Sequence, residues 1–166
     1  MSSIECVREM ARFDPYWIEE PFAPDELGKY RALTEAVDIP IAAGEQESSL
    51  VDFERLVDIG VSVLQPDVTR AGGMRQCLRI AELAQRSGRR CVLHAWSTGI
   101  IKAASLQVLA AMRDVEYFEY CVQTSPLNER LVDEVFPVVG GRVAIPQKPG
   151  LGIEVDEDLL NSFRVA

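Results

Sequence analysis

One histidine and a series of acidic residues stand at regular intervals along the chain. Glu19, Glu45, Asp67, His94 and Glu119 each follow a short apolar run, and successive members are 26, 22, 27 and 25 residues apart. Carboxylates bind hard cations through oxygen, and histidine is the side chain that most readily transfers protons near neutral pH. The pattern therefore predicts a site for metal or acid–base chemistry, provided that the fold brings these residues together.

The elements that must position these residues alternate along the chain. Apolar runs typical of buried strands cover residues 16–18, 39–43, 61–64, 91–93 and 117–118. Between them, apolar residues recur three or four positions apart, which predicts helices over residues 27–37, 50–57, 72–86 and 100–112. Gly60 and Gly88 follow two of these helices, where a left-handed cap is common. Ser2 and Glu5 form a capping-box pattern, which predicts a further helix at the start of the sequence.

Strand–helix units of about 25 residues indicate parallel strands joined by crossover helices. A doubly wound sheet and a (β/α)8 barrel both fit this alternation. The polar residues favour the barrel, because functional groups in that fold lie at the carboxyl ends of several strands. A complete barrel needs about 250 residues. The prediction is therefore a partial α/β barrel of the TIM type, with about the last five βα units in residues 1–139. A tail rich in glycine and proline, residues 140–166, is expected to pack on its outside.

Composition narrows the classes of function. The 166 residues include 26 acids and 17 bases, for a net charge of −9, and no basic run is present. These features argue against nucleic-acid binding and against attraction to an anionic membrane surface. The apolar stretches are too short to span a membrane. The four cysteines form no CxxC pair, which favours free, buried thiols in a reducing cytoplasm.

Five short motifs occur in an order that resembles a known family. They are WIEEP at 17–21, AGE at 43–45, QPD at 65–67 with RAGG at 70–73, LHAW at 93–96 and FE at 118–119, and PGLGIEVDED follows at 149–158. The sequence resembles the C-terminal part of the barrel domain of the enolase superfamily. Within it, the chain is similar to the mandelate racemase/muconate lactonizing enzyme family, in the mandelate racemase subgroup.

This resemblance implies a cofactor and a reaction. Members of the superfamily bind Mg²⁺ through three carboxylates on successive strands, and the metal holds a substrate carboxylate while a base removes the proton alpha to it. Glu19 and Glu45 match the second and third metal ligands. Glu20, the other acid of WIEEP, is expected to be a structural neighbour.

His94 and Asp67 are the predicted catalytic pair. If they lie at adjacent strand ends, the carboxylate can hydrogen-bond one ring nitrogen, fix its tautomer and raise its basicity. The resemblance implies a histidine–aspartate dyad with His94 as general acid and base, whereas the lactonizing relatives carry a lysine at the position of Asp67. It also implies that Glu119 hydrogen-bonds the substrate carboxylate. Trp96 lies in the loop after a predicted strand and is therefore a candidate to line the substrate pocket.

Three parts of the family pattern have no counterpart here. They are the first metal-binding aspartate, a Lys-x-Lys pair that supplies the base of the opposite face, and the N-terminal capping domain. With two of three carboxylates, the chain is expected to bind Mg²⁺ weakly or not at all. A partial barrel exposes strand edges, so the isolated chain is expected to self-associate into a homo-oligomer, to adopt an altered packing or to pair with a missing half.

Three functions remain open at this stage. The first is a fragment of an enzyme that dehydrates a sugar acid, with His94 as the acid. The second is a racemase or epimerase of a 2-hydroxy or related acid, which requires a base on each face of the substrate. The third is a catalytically inactive, truncated barrel remnant. Specificity in such barrels resides in loops and in the capping domain, so the sequence does not name the substrate.

Overall fold

The computed structural model describes residues 2–165. It divides into two compact units, one that ends at His94 and one that begins at Ala95. The predicted boundary between residues 139 and 140 stays a prediction.

Strand and helix alternate through the first unit. Its elements are α1 (Ser3–Met10), β1 (Ile18–Glu19), α2 (Leu27–Ala36), β2 (Ile41–Ala43), α3 (Leu50–Asp58), β3 (Val63–Leu64), α4 (Met74–Arg86) and β4 (Arg90–Cys91). The predicted capping box of α1 is present, since Ser2 and Glu5 each hydrogen-bond the backbone N–H of the other. Gly60 and Gly88 have φ values of +89° and +65° after α3 and α4, as expected for left-handed caps.

The four strands form a parallel sheet in the order β1-β2-β3-β4. Glu19 pairs with Ala42, Ala42 with Val63, and Val63 with Arg90. Ala42, Val63 and Val92 are buried in one cluster, against which Trp17 packs, so these residues share one face of the sheet. Because side chains alternate along a strand, Glu19, Gln65, Asp67 and His94 follow on the same face. The register therefore collects Glu19, Asp67 and His94 on one side, whereas Glu45 lies in the turn after β2.

The opposite face of the sheet packs against the helices. Its buried side chains include Ile41, Leu64 and Cys91 of the strands together with Leu33, Phe53 and Ile80 of the helices. In α4 the buried residues Cys77, Ile80 and Ala84 recur at helical spacing. The helix layer thus covers the face that the site does not use.

The second unit is built around one long apolar helix. Its elements are α5 (Gly99–Ala111), α6 (Pro126–Glu129), the hairpin of β5 (Val138–Val139) and β6 (Arg142–Val143), and α7 (Glu157–Ser162). Nine of the thirteen residues of α5 are buried, so the helix is covered on most of its circumference. Ala103 and Leu106 of α5 form a core with Val132 and Phe136.

The fifth predicted strand is a difference between sequence and structure. Residues 117–118 lie in an irregular segment, and no strand within residues 2–165 pairs with them. Apolar residues alone do not make a strand, because the strand state requires a hydrogen-bonded neighbour. The other predicted strands are present but shorter, and two helices begin one or two residues away from their predicted starts.

Composition predicted free cysteines and apolar segments too short to span a membrane. All four cysteines are free thiols, and Cys77, Cys91 and Cys121 are buried while Cys6 is exposed. Across residues 2–165, the helices are too short or too polar for any of them to span a bilayer.

Candidate active site

His94 and Asp67 meet at the carboxyl ends of neighbouring strands. The two residues form a parallel bridge that continues the β3–β4 pairing. The His94 Nδ1 atom lies 2.7 Å from Asp67 Oδ2. The Asp67 side chain is 3% exposed and that of His94 is 14% exposed, so the pair is shielded from water on most sides. A short hydrogen bond to a carboxylate fixes which ring nitrogen carries the proton.

Thr69 completes the hydrogen bonding of Asp67. Its backbone N–H and its hydroxyl both donate to Asp67 Oδ1, at 2.7 and 2.6 Å. Burial alone raises the pKa of the Asp67 carboxyl, but the hydrogen bonds from His94 and Thr69 outweigh it, so this pKa lies below its ordinary value. Asp67 is therefore held in its ionised form, ready to accept a hydrogen bond from the imidazole.

Glu45 faces the other nitrogen of the same ring. It lies in the turn that follows β2, and its Oε2 atom is 3.3 Å from His94 Nε2. The Glu45 side chain is 32% exposed. His94 therefore lies between two carboxylates, a buried one on Nδ1 and a more accessible one on Nε2. This arrangement suits an imidazole that gains and loses a proton at Nε2 while Nδ1 keeps its partner.

The two acids of the WIEEP segment point to different partners. Glu19, on the edge strand β1, accepts hydrogen bonds at Oε2 from Gln65 Nε2 (2.7 Å) and from Trp17 Nε1 (3.0 Å). Glu20 has a positive φ of 36° and accepts from the Gly44 N–H and from the Gln46 side chain. The change of backbone conformation at Glu20 ends the strand and separates the two carboxylates.

The carboxylate oxygens of Glu19 and Glu45 are of the chemical type that binds a hard cation. Glu19 and Glu45 follow adjacent parallel strands and offer the carboxylate oxygens that Mg²⁺ prefers. Within the described part of the chain, residues 2–165, no three His, Cys, Asp or Glu side chains are grouped as a ready metal site. Two carboxylates that leave the remaining positions to water are compatible with Mg²⁺, which usually keeps several waters.

Two of the predicted site residues, Glu119 and Trp96, belong to the second unit. Glu119 is half-buried, and its Oε2 atom accepts a hydrogen bond from the backbone N–H of Ala95 at 2.8 Å. Trp96 is 41% exposed. The substrate-binding roles of both residues stay predictions.

Three residues that position the acids were not predicted from the sequence. Gln65 and Thr69 hold Glu19 and Asp67 by hydrogen bonds, and Trp17 adds a second donor to Glu19. A signal was available in strand alternation, because Gln65 lies two residues before Asp67 and must face the same side. Nothing in the local sequence marks Thr69 beyond its place two residues after an aspartate, where local side-chain hydrogen bonds are common.

Comparison with known protein families identifies the chain. Residues 1–159 match the family model described as enolase C-terminal domain-like. The chain belongs to this family. The resemblance to the enolase superfamily inferred from the ordered motifs is thereby confirmed, and so is the α/β barrel class of the fold.

Several named relatives share this region. A D-galactarolactone cycloisomerase from Agrobacterium fabrum is 36% identical over 164 residues, which cover 93% of this chain and 43% of the relative. A D-galactonate dehydratase from Ralstonia pickettii is 32% identical and is covered to 42% of its length. The crystal structure of a 3,6-anhydro-D-galactonate cycloisomerase from Zobellia galactanivorans superposes with a TM-score of 0.88 at 33% identity, over 97% of this chain and 46% of that one. The chain therefore spans less than half the length of these relatives.

Proposed function

We propose that this chain forms part of a Mg²⁺-dependent enzyme that removes the proton alpha to a carboxylate and dehydrates a sugar acid. The observation that carries the proposal is the His94 ring, held at Nδ1 by the ionised Asp67 and facing Glu45 at Nε2. The names of the relatives add support, because they include a sugar-acid dehydratase and sugar-acid cycloisomerases. Members of the enolase superfamily generally use Mg²⁺.

His94 is the residue that moves protons in this proposal. Asp67 accepts the Nδ1–H hydrogen bond, so the lone pair of the neutral ring lies on Nε2. Nε2 removes the proton alpha to the carboxylate and then returns a proton to the β-hydroxyl, whose C–O bond breaks as water leaves. Asp67 stabilises the imidazolium between these two steps without itself being protonated.

Glu19 and Glu45 are the proposed metal ligands. When bound, Mg²⁺ would supply the positive charge that lets an acidic protein hold an anionic substrate and that favours loss of the α-proton. Glu45 would then contact the cation and no longer His94 Nε2, and that nitrogen would be accessible to the substrate. Glu119 and Trp96 are assigned to substrate binding in the same proposal.

Racemisation or epimerisation is the second candidate reaction. It needs a base on each face of the α-carbon, whereas dehydration needs one well-placed acid and base. Within residues 2–165, His94 is the only histidine, and the three lysines, Lys29, Lys102 and Lys148, do not form a Lys-x-Lys pair. The choice between the two reactions therefore rests on the experiment below.

The proposal is tested by a reaction in D₂O. The 166-residue chain and the natural gene product that contains it are incubated with Mg²⁺ and a panel of sugar acids, with NMR detection. Dehydration predicts loss of water and a keto-acid product, and His94→Asn should lower its rate by about 10²- to 10⁴-fold. Deuterium at the α-carbon without loss of water would instead support the epimerase. If neither protein shows loss of water or uptake of deuterium, the result would favour an inactive barrel remnant.

We also propose an oligomeric state and a cellular location for the protein. Strand β1 pairs with β2 alone among the described strands, and an unpaired edge invites association with another chain. We therefore propose a homo-oligomer, and light scattering of the purified protein tests it. The free thiols are compatible with the proposed cytoplasmic location.

A further inference from the structure

The Glu19 carboxylate is held asymmetrically. Gln65 Nε2 and Trp17 Nε1 both donate to the same oxygen, Oε2, at 2.7 and 3.0 Å. Among the described residues, no donor approaches Oε1 within hydrogen-bonding distance. One oxygen of the carboxylate is thus committed to two neutral N–H groups, and the other points away from them.

The fold builds this arrangement across three strands. Glu19 lies on β1 and Gln65 directly follows β3, so the Gln65 side chain must pass over β2 to reach it. It can do so because β2 presents a small residue there, since Ala42 is the residue paired with Glu19. Gln65 is only 4% exposed, so its amide is fixed by its surroundings and has little access to competing water.

Trp17 is fixed by packing. It lies two residues before Glu19 on the same strand face, and its ring packs against the buried Ala42, Val63 and Val92. Its indole N–H is thereby aimed at Glu19 from the strand itself, while Gln65 approaches from the neighbouring strands. Two donors on independently fixed residues hold a carboxylate in one orientation better than either does alone.

We propose that Gln65 and Trp17 are positioning residues that restrict Glu19 to binding a divalent cation through one oxygen, Oε1. This inference rests on the proposed role of Glu19 as a metal ligand. Mg²⁺ requires near-octahedral geometry and accepts single carboxylate oxygens, whereas Ca²⁺ takes six to eight ligands and often binds both oxygens of a carboxylate. With Oε2 committed, Glu19 discriminates against Ca²⁺ and in favour of Mg²⁺.

The adjacent acid provides a matched control. Glu20 also accepts a hydrogen bond from a glutamine side chain, that of Gln46, at 3.1 Å. Gln46 is exposed, in the turn after β2, and its partner is not a proposed ligand. The same substitution at Gln46 therefore removes an equivalent amide–carboxylate bond beside the site without freeing Glu19.

Cation competition on the whole chain tests the inference. Binding of Mn²⁺ is followed by electron paramagnetic resonance, and Mg²⁺ and Ca²⁺ are used as competitors in the millimolar range. Gln65→Met should lower the ratio of the Ca²⁺ to the Mg²⁺ dissociation constant by about tenfold, because freeing Oε2 permits bidentate binding. Trp17→Phe should lower it less, and Gln46→Met should leave it unchanged. An unchanged ratio in Gln65→Met, or an equal change in Gln46→Met, overturns the inference.

A metal-free measurement separates this inference from the proposed function. The chain has two tryptophans, so the Trp17 indole N–H can be assigned in an ¹⁵N correlation spectrum with a Trp96→Phe variant. Glu19→Gln and Gln65→Met should both shift the Trp17 signal, and a signal unmoved by either overturns the hydrogen-bonded arrangement. If the signal shifts as expected but wild-type protein binds no cation at millimolar concentration, the cation preference fails and the hydrogen-bonded arrangement of Glu19 stands.

Discussion

Within residues 2–165, each of the two units buries one charged side chain, and the two side chains have different surroundings. In the first unit Asp67 is 2% exposed and accepts hydrogen bonds from His94 and from both donors of Thr69. In the second unit Lys102 is 5% exposed, and its ammonium lies over the Tyr120 ring, 4.2 Å from the centroid. No carboxylate of residues 2–165 forms an ion pair with this amine.

Both groups have a lowered pKa, which favours the charged form of Asp67 and disfavours the charged form of Lys102. For Asp67 the raising effect of burial is overcome by hydrogen bonds, so the lower pKa favours the charged form. For Lys102 burial lowers the pKa against a smaller opposing influence of Cys121 and Glu129, so the lower pKa disfavours the charged form. A buried charge with a complete set of partners indicates a built site, and one without them indicates a cost to stability.

The largest expected effect is on the buried acid. Asp67→Ala should destabilise the protein by about 3 kcal/mol, because it leaves the Thr69 donors and the His94 ring without their acceptor. Asp67→Asn keeps the side-chain shape and one acceptor oxygen, so its loss should be about half as large. Urea unfolding followed by circular dichroism measures both values. Equal losses in the two variants would mean that the hydrogen bonds contribute little.

A glycine in each unit sharpens the comparison of packing. An added Cβ at Gly99 would meet Val132 Cγ2 at 2.6 Å, so Gly99→Ala should cost about 2 kcal/mol through overpacking. At Gly28 in α2 nothing lies within 4 Å, and Gly28→Ala should stabilise that helix by about 0.5–1 kcal/mol. Thermal unfolding of the two variants gives the signs. A stabilising Gly99→Ala would contradict the close contact of α5 with Val132.

The buried lysine should respond in the opposite direction from Asp67. Lys102→Met keeps the apolar stem and removes the desolvated amine, so stability should rise by about 1 kcal/mol at neutral pH. The exposed Lys29 provides the control, and Lys29→Met should change stability by less than about 0.5 kcal/mol. A destabilised Lys102→Met would show that the contact with the Tyr120 ring offsets the burial cost.

The smallest expected effect is a pair of pH dependences. The folded-state pKa of Asp67 lies below its unfolded value of about 3.9, so its contribution is complete above that pH and is lost as pH falls through the folded value. The folded-state pKa of Lys102 lies below its unfolded value of about 10.4. Between these two pKa values the unfolded state binds more protons, so the contribution of Lys102 to stability rises as pH rises.

Difference curves isolate the two groups in such a titration. Burial raises the pKa of both Cys77 and Cys91 to about 12, so these thiols reduce stability at alkaline pH and oppose the gain from Lys102. Subtracting the Lys102→Met curve from the wild-type curve removes their contribution. The Lys102 gain should remain in this difference, and the acid limb should flatten in Asp67→Asn. A difference curve that is flat at alkaline pH would contradict the lowered pKa of Lys102.

Much of the first unit follows from sequence, and the reason is the strand register. The spacing of Glu19, Glu45, Asp67 and His94 predicted that they follow parallel strands, and period-two alternation then places the strand residues on one face. Hydrogen-bond partners such as Thr69 were not predictable, because they depend on the loop conformation after β3. In the second unit the apolar residues 117–118 predicted a strand that the structure lacks, since pairing depends on a neighbour that local sequence does not specify.

We propose that Asp67 fixes His94 for proton transfer at Nε2. His94 is the only histidine, so ¹⁵N NMR of labelled imidazole reads this residue alone. Well above the pH at which the ring ionises, we expect Nδ1 to carry the proton and Nε2 to be unprotonated in the wild-type protein. Asp67→Ala should abolish this preference. A predominantly Nε2-protonated ring in the wild-type protein, or the same tautomer in both proteins, would contradict this role of Asp67.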